Sequence, residues 1–384
     1  MTQQAPVALV LGDIDLVRPL AAAGVRCALF ALPADPARLS RHVDQRLPWV
    51  NHWDQQGAMI NLLLEFAARQ PSPPVLFPQT NGDLLAVSRH RDRLQGPFRF
   101  LLPEPDLVSS LLDKAAFSAL AQKAGLPVPR AHRLAHDGEA HPALDLRFPV
   151  VVKPLTRHQE RWSPIGAAAK ARRADDASEL ERLLPALREH EVDVLVQEAI
   201  PGPETAIESY HAYADASGTI VGGFTGRKIR TFPARYGHTT ALEITNEPDV
   251  RVAGVKTMER LGLRGLVKLD FKRGLDGRLY LLEINTRATL WLNPAAVAGM
   301  NLAAVAYADL AGRPRPPLGP LRPGVRWCQP AEDFKAAREA GVPLRRWLRF
   351  LATCEARSVL AWDDPRPFLG GVLAPALRRR VGRG

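Results

Sequence analysis

The chain has 384 residues, 46% of them hydrophobic, and 51 basic against 40 acidic side chains give it a net charge of +11. That length and apolar content suit a globular protein of two or three domains with proper cores. Its longest apolar stretch, 288–310, is broken by Asn293, Pro294, Asn301 and Asp309, so no segment is expected to span a membrane. Residues 7–11 are too short an apolar run for a signal peptide and follow no basic segment. Cys27, Cys328 and Cys354 have the spacing of neither a zinc site nor a disulfide framework, which fits a reducing cytoplasm.

In chain order, residues 7–12, an apolar helix-like stretch to Gly24 and residues 27–32 read as strand, helix and strand, predicting a Rossmann-like N-terminal domain over 1–105. Gly12 alone is no dinucleotide fingerprint. A third strand at 74–78 runs into Gln79-Thr80-Asn81-Gly82-Asp83, and such strand ends face ligands in parallel sheets. Asn81 and Asp83 are therefore candidates for substrate contact, with a helix N-cap as the other role open to each. Prolines 103, 105, 127 and 129 bracket an amphipathic helix opened by Asp113 and Lys114 and suit a domain boundary. Lys153 closes an apolar strand from Phe148, where an ammonium needs a counter-anion, and a phosphate would serve. Only nine of the 51 basic residues are lysines, so a lysine in such a place stands out from the arginine background. A second buried strand, 192–197, ends in Pro201-Gly202-Pro203-Glu204.

Further on, residues 223–238 form an extended basic segment with Lys228 and Arg230 on one side, suited to a triphosphate or an acidic substrate, or else to a solvated edge. Residues 268–287 carry the most information. Alternation predicts a hairpin with Lys268, Asp270, Glu283 and Asn285 on one face and a turn at Asp276-Gly277. A two-residue loop sets Asp270 opposite Glu283 and Lys268 opposite Asn285, whereas a four-residue loop from Gly274 to Gly277 sets Lys268 opposite Glu283. Facing carboxylates repel unless a cation lies between them. Two carboxylates with an amide oxygen are hard ligands, suited to magnesium carrying phosphates.

An aspartate, a glutamate thirteen positions on and an asparagine two further resemble the magnesium signature of the ATP-grasp ligases. The resemblance covers roughly residues 106–312, and its other positions occur upstream in order. It implies ATP and Mg2+ as cofactors, with Mn2+ as an alternative, and Asp270, Glu283 and Asn285 as the metal platform. Lys114 and Lys153 match the lysines that hold ATP phosphates. The stretch from Val194 through Gln197, Glu198 and Ile200 to Glu204 resembles the adenine hinge followed by the ribose-binding acid. Gln197 departs from the acid usual there, although its side-chain oxygen can accept from an adenine amino group. After Lys153 the family has a glycine-rich loop; here stands Thr156-Arg157-His158-Gln159-Glu160-Arg161-Trp162-Ser163, read either as an arginine clamp or as a disordered lid. Arg287 is placed to stabilise an acyl phosphate or its tetrahedral successor. Residues 223–238 are similar to the corresponding segment of D-aspartate-ligase-like enzymes, which adds Lys228 and Arg230 to the catalytic set.

The resulting fold class is α/β and α+β: the Rossmann-like domain, a two-lobed ATP-grasp domain with a linker helix and small lobe at 106–200 and a large lobe at 201–312, and a basic extension at 313–384. Its implied activity is ligation of a small carboxylate, activated as an acyl phosphate, to an amine, both amino acids or derivatives. A thiol nucleophile, an acyl-phosphate product and a non-catalytic scaffold are the alternatives. From Arg338 onward ten arginines face four acids, more than half the net charge. That tail suits solvated helix faces, or contact with anionic lipid, an acidic partner or the protein's own acidic surface. It shows no aromatic stacking platform interleaved with the charges and so does not suggest nucleic acid. A homodimer is left open.

Overall fold

A computed structural model describes residues 5–137, 145–155, 159–166 and 169–375. Thr156, Arg157 and His158 after Lys153, and Arg378, Arg379 and Arg380 in the tail, lie outside the described residues.

The N-terminal sheet contains β1 (Ala8–Leu11), β2 (Cys27–Phe30), β3 (Val43–Leu47) and β4 (Val75–Pro78), all parallel in the order β3-β2-β1-β4. β1, β2 and β4 are buried at every position, as expected of apolar runs in a parallel sheet covered on both faces. β3 is an addition to the sequence reading. Only Val43 and Leu47 at its ends are buried, so this edge strand shows neither an apolar run nor a clean alternation.

A second, antiparallel sheet contains β5 (Ala131–Leu134), β6 (Val150–Pro154), β7 (Arg172–Ala174) and β8 (Val194–Glu198) in the order β5-β8-β6-β7. Val150, Val152, Ala174, Val194 and Val196 build its core with Trp162 and Leu187. Strand alternation then sends Lys153, Arg173 and Gln197 to the opposite face.

The third sheet contains β9 (Ile207–Ala214), β10 (Ile220–Phe232), β11 (His238–Thr245), β12 (Gly265–Arg273), β13 (Leu279–Asn285), β14 (Arg326–Cys328) and β15 (Ala356–Arg357), ordered β13-β12-β9-β10-β11-β14-β15. Tyr210, Leu269, Phe271, Leu281 and Ile284 on one face pack under the helices Pro105–Leu112, Lys114–Lys123 and Pro248–Leu261. On the other face Tyr213, Phe224, Leu242 and Ile244 share a core with the N-terminal sheet and the helices Ile14–Ala22 and Leu302–Leu310.

The expected boundary at 312/313 is crossed by this sheet, because β14 and β15 come from the C-terminal extension. Through residue 375 that extension is part of the body. Buried Asp15 accepts from Asn293 Nδ2 (2.7 Å), Trp327 Nε1 (2.9 Å) and Ser358 Oγ (2.7 Å), so one carboxylate joins three distant parts of the chain. Burial pushes its pKa up against the pull of those hydrogen bonds. Asp364 likewise accepts from Ser40 Oγ (2.5 Å) and Arg41 N (3.1 Å) in the N-terminal domain. The helix Leu344–Thr353 turns Trp347, Phe350 and Leu351 inward and leaves Leu344 and Leu348 exposed beside Arg345, Arg346 and Arg349.

Candidate active site

On the hairpin β12–β13, Lys268 pairs with Asn285, Leu269 with Ile284 and Asp270 with Glu283. The next pair is Phe271 with Leu281, which leaves Leu282 as the extra residue of a β-bulge. The strands close at Arg273 and Leu279, around a loop of residues 274–278 rather than a two-residue turn. Gly277 sits there at φ +77 with its N–H on the Gly274 carbonyl (3.0 Å), a left-handed position that glycine adopts without strain. The polar face thus has the register of the shorter loop, and the bulge absorbs the difference.

Asp270 is buried and accepts from Lys268 Nζ (2.6 Å) and from the hydroxyl of Ser209, its neighbour on β9. Burial alone would raise its pKa, but the charges of Lys268 and Lys228 and these two donors hold it well below the usual carboxylate range. Half-buried Glu283 stands opposite, and Asn285 turns Oδ1 to Arg287 Nη2 (3.1 Å). Among the described residues no three His, Cys, Asp or Glu side chains form a metal cage. The available set is two carboxylates and an amide, all hard oxygen donors, which fits magnesium shared with phosphates.

Lys153 enters from the second sheet. Its Nζ donates to Gln197 Oε1 (2.6 Å), and burial pulls its pKa down to about 8 against the attraction of Glu283 and Glu204. A lysine of one sheet and acids carried by or leading into another therefore lie within electrostatic reach of each other. Asp113 caps the helix Lys114–Lys123 by accepting from Ala116 N (2.7 Å), and Lys114 donates to the carbonyl of Pro154, next to Lys153. Arg287 crosses to the N-terminal domain, donating to Asn81 Oδ1 (2.6 Å) and the Gln79 carbonyl (2.7 Å). Neither Asn81 nor Asp83 is the N-cap of the helix Asn81–Arg89. Thr80 is, accepting from Asp83 N (3.1 Å), while Asp83 accepts the Thr80 hydroxyl (2.6 Å) and lies 2.8 Å from His52 Nδ1.

Three expectations change. Arg230 donates twice to Asp333 (2.8 and 2.6 Å) and lies 4.1 Å from the Phe350 ring centre, so its guanidinium joins β10 to the C-terminal extension instead of facing a substrate. A bulge between Lys228 and Arg230 breaks the simple alternation that put them on one side. The Glu198 carboxylate binds Arg147 N (3.0 Å) and Nη2 (3.1 Å), on the face away from Gln197 and Lys153, so its side chain does not join them. Gln197 gives its side-chain oxygen to Lys153. Sequence reasoning assigned no role to Ser209, Lys272 or Arg173. Lys272 was detectable, two residues past Asp270 on the same strand face, whereas Ser209 and Arg173 depend on strand pairing.

The arrangement of sheets is the ATP-grasp fold. It superposes on the ADP complex of an N5-carboxyaminoimidazole ribonucleotide synthetase with a TM-score of 0.64 at 14% identity, covering 84% of this chain and 82% of that one. An L-amino acid ligase from Bacillus licheniformis gives 0.60 at 13% identity, covering 81% and 75%. Residues 190–330 match the family described as ATP-grasp in the biosynthetic pathway with Ter operon, a span that crosses the 312/313 boundary to take in β14. Among curated proteins, the D-alanine–D-alanine ligase of Stutzerimonas stutzeri is 29% identical over 189 residues, 47% of this chain and 57% of that enzyme. The D-aspartate ligase of Enterococcus faecium is 22% identical over 281 residues, 70% of this chain and 66% of that enzyme. The chain thus spans little more than half the length of the D-alanine–D-alanine ligases it matches.

Proposed function

We propose that this protein is an ATP-dependent carboxylate–amine ligase acting on small molecules, with amino acids or their derivatives as the acid and the amine. The observation that carries the reading is that Lys153 of the second sheet lies within electrostatic reach of Glu204 and Glu283, with Lys114 on the neighbouring Pro154 carbonyl and Asp270 paired with Glu283. Lys114, Lys153 and Lys228 are the cations for the phosphates, the backbone from Glu198 to Ile200 is the adenine contact, and Glu204 accepts from the ribose. Asp270, Glu283 and Asn285 would hold Mg2+ or Mn2+, which when bound neutralises phosphate charge.

Phosphoryl transfer needs little beyond position and charge. A carboxylate oxygen of the acid attacks the γ-phosphorus as the bond to ADP breaks. The amine then attacks the acyl carbon, loses a proton, and phosphate leaves. Arg287, fixed by Asn81 and the Gln79 carbonyl, holds the anion that develops on the acyl group. D-alanine–D-alanine ligase, D-aspartate ligase and L-amino acid ligase among the similar proteins support an amine nucleophile.

A phosphate-release screen of amino acids, singly and in pairs, with magnesium ATP tests this. The expected result is ADP and phosphate only with a matched acid and amine, and a product mass equal to their condensation. Nucleotide binding without turnover across a broad panel would instead support a scaffold.

A further inference from the structure

We propose that Gln79 and Asp13 form a clasp that positions Arg287 for its work on the acyl group, and that Gly12 lacks a side chain so that the clasp can close. The clasp rests on the ligase reading above and gives the N-terminal domain the task of aiming the anion holder.

Three bonds join the end of β4 to the chain just past β13. Arg287 Nε donates to Asn81 Oδ1 (2.6 Å), its Nη1 donates to the Gln79 carbonyl (2.7 Å), and Ala288 N donates to the Pro78 carbonyl (3.2 Å). Where Arg287 points therefore depends on where residues 78–81 lie. The same guanidinium donates to Asn285 Oδ1 (3.1 Å), so this loop also sets its place relative to the polar face of the hairpin.

Gln79 is buried and held at both ends. Its backbone N–H donates to the Leu11 carbonyl (3.0 Å), which continues the pairing of β4 with β1. Its side chain adds a second anchor: Asp13 N donates to Oε1 (2.8 Å), and Nε2 donates to Asp13 Oδ1 (2.7 Å). That carboxylate oxygen also accepts from Asp15 N (2.9 Å) as the cap of the helix Ile14–Ala22, so the glutamine is fastened to a helix start. With its N–H and both head atoms fixed, the Gln79 carbonyl has little freedom to leave Arg287. Burial and the charge of Asp15 push the Asp13 pKa up to about 7, so a neutral oxygen acceptor can serve in its place.

Gly12 makes the room. A Cβ there would stand 2.0 Å from Gln79 Oε1 and 2.5 Å from Gln79 Cβ, while the backbone of Gly12 is not left-handed, so space alone calls for glycine. The crevice past the end of β1, where an open parallel sheet commonly seats a ligand, is filled at this point by one of the protein's own side chains.

Kinetics of the full chain, on an acid and amine that the parent joins, test the clasp in Gly12→Ala, Gln79→Leu and Asp13→Leu. Each should lower kcat about 10- to 100-fold, as for a group misplaced by about 1 Å, with calorimetric affinity for magnesium ATP within about twofold of the parent. Asp13→Asn keeps the acceptor oxygen and should recover most of the rate. Because the clasp acts through Arg287, Gln79→Leu should add little to the loss already caused by Arg287→Ala. A fully additive loss in that double variant overturns the clasp. So does an unchanged kcat in Gln79→Leu, or a kcat loss matched by an equal loss of ATP affinity, the mark of general damage to the fold. If Gly12→Ala does not fold, Gln79→Leu and the double variant decide. A parent chain that binds ATP but joins no acid to an amine defeats the ligase reading itself, and the clasp with it.

Discussion

Two charged regions of the third sheet are built from similar residues and balanced differently. Near β14, Asp333 is wholly buried and accepts from Arg230 twice, from Thr240 Oγ1 (3.0 Å) and from Trp347 Nε1 (3.0 Å). Each of its oxygens has two donors. Near β13, Asp270, Glu283 and Glu204 lie within electrostatic reach of Lys153, Lys228, Lys268 and Lys272. The first network is complete in itself and joins parts of the protein. The second has a cation surplus and is suited to a ligand, which is why residue type alone cannot separate structural from functional charge.

The largest effect should come from breaking the complete network. Arg230→Met leaves the Asp333 carboxylate buried without its cation and should cost about 3–5 kcal/mol, read as a lower denaturation midpoint. Replacing both partners with apolar residues should recover most of that loss; if Arg230→Met alone melts like the parent, the contrast between the regions is wrong. Next comes Glu283→Gln, expected to reduce ADP release at least about 100-fold, in the range of losing one group that meets transition-state charge, with the melting curve unchanged. Turnover that persists would sink the platform assignment.

Smaller is the effect of pH. Because burial lowers the Lys153 pKa to about 8, its ammonium is present below that value and lost above it, so ATP affinity should fall as pH rises through this window. Arg in its place should flatten that limb, as followed by nucleotide titration from pH 7 to 9. Last, Asp113→Ala removes the cap from the helix bearing Lys114 and should cost about 1 kcal/mol in chemical denaturation, with a modest rise in the KM for ATP.

The sequence exposed what depends on local pattern. Alternation revealed the polar hairpin face, the apolar run marked β6, and Asp113 before Lys114 marked a helix start. What it hid depends on partners far along the chain. Arg230 looked like an anion holder because Asp333 lies 103 residues away, and Glu198 looked like a hinge residue because Arg147, which engages it from the lead-in to the neighbouring strand β6, lies 51 residues away. The register of β12 and β13 was open between two loops because a bulge inside the strand, and no feature of the turn, decides it. The C-terminal extension read as a basic tail because its short strands, β14 and β15, give no periodic signal, and distant partners such as Asp15, Ser40 and Arg230 reveal where it docks.

Asp15 carries a consequence for the order in which the protein can be made. The strands of the first sheet have all been synthesised by residue 78, yet the carboxylate beneath it waits for donors at 293, 327 and 358. On a ribosome, the first domain would emerge early and hold a charge it cannot bury until nearly the last part of the described chain has appeared. Its final consolidation is thus expected to be a late, whole-chain event, and a nascent chain stalled before residue 358 should remain sensitive to protease in its first hundred residues.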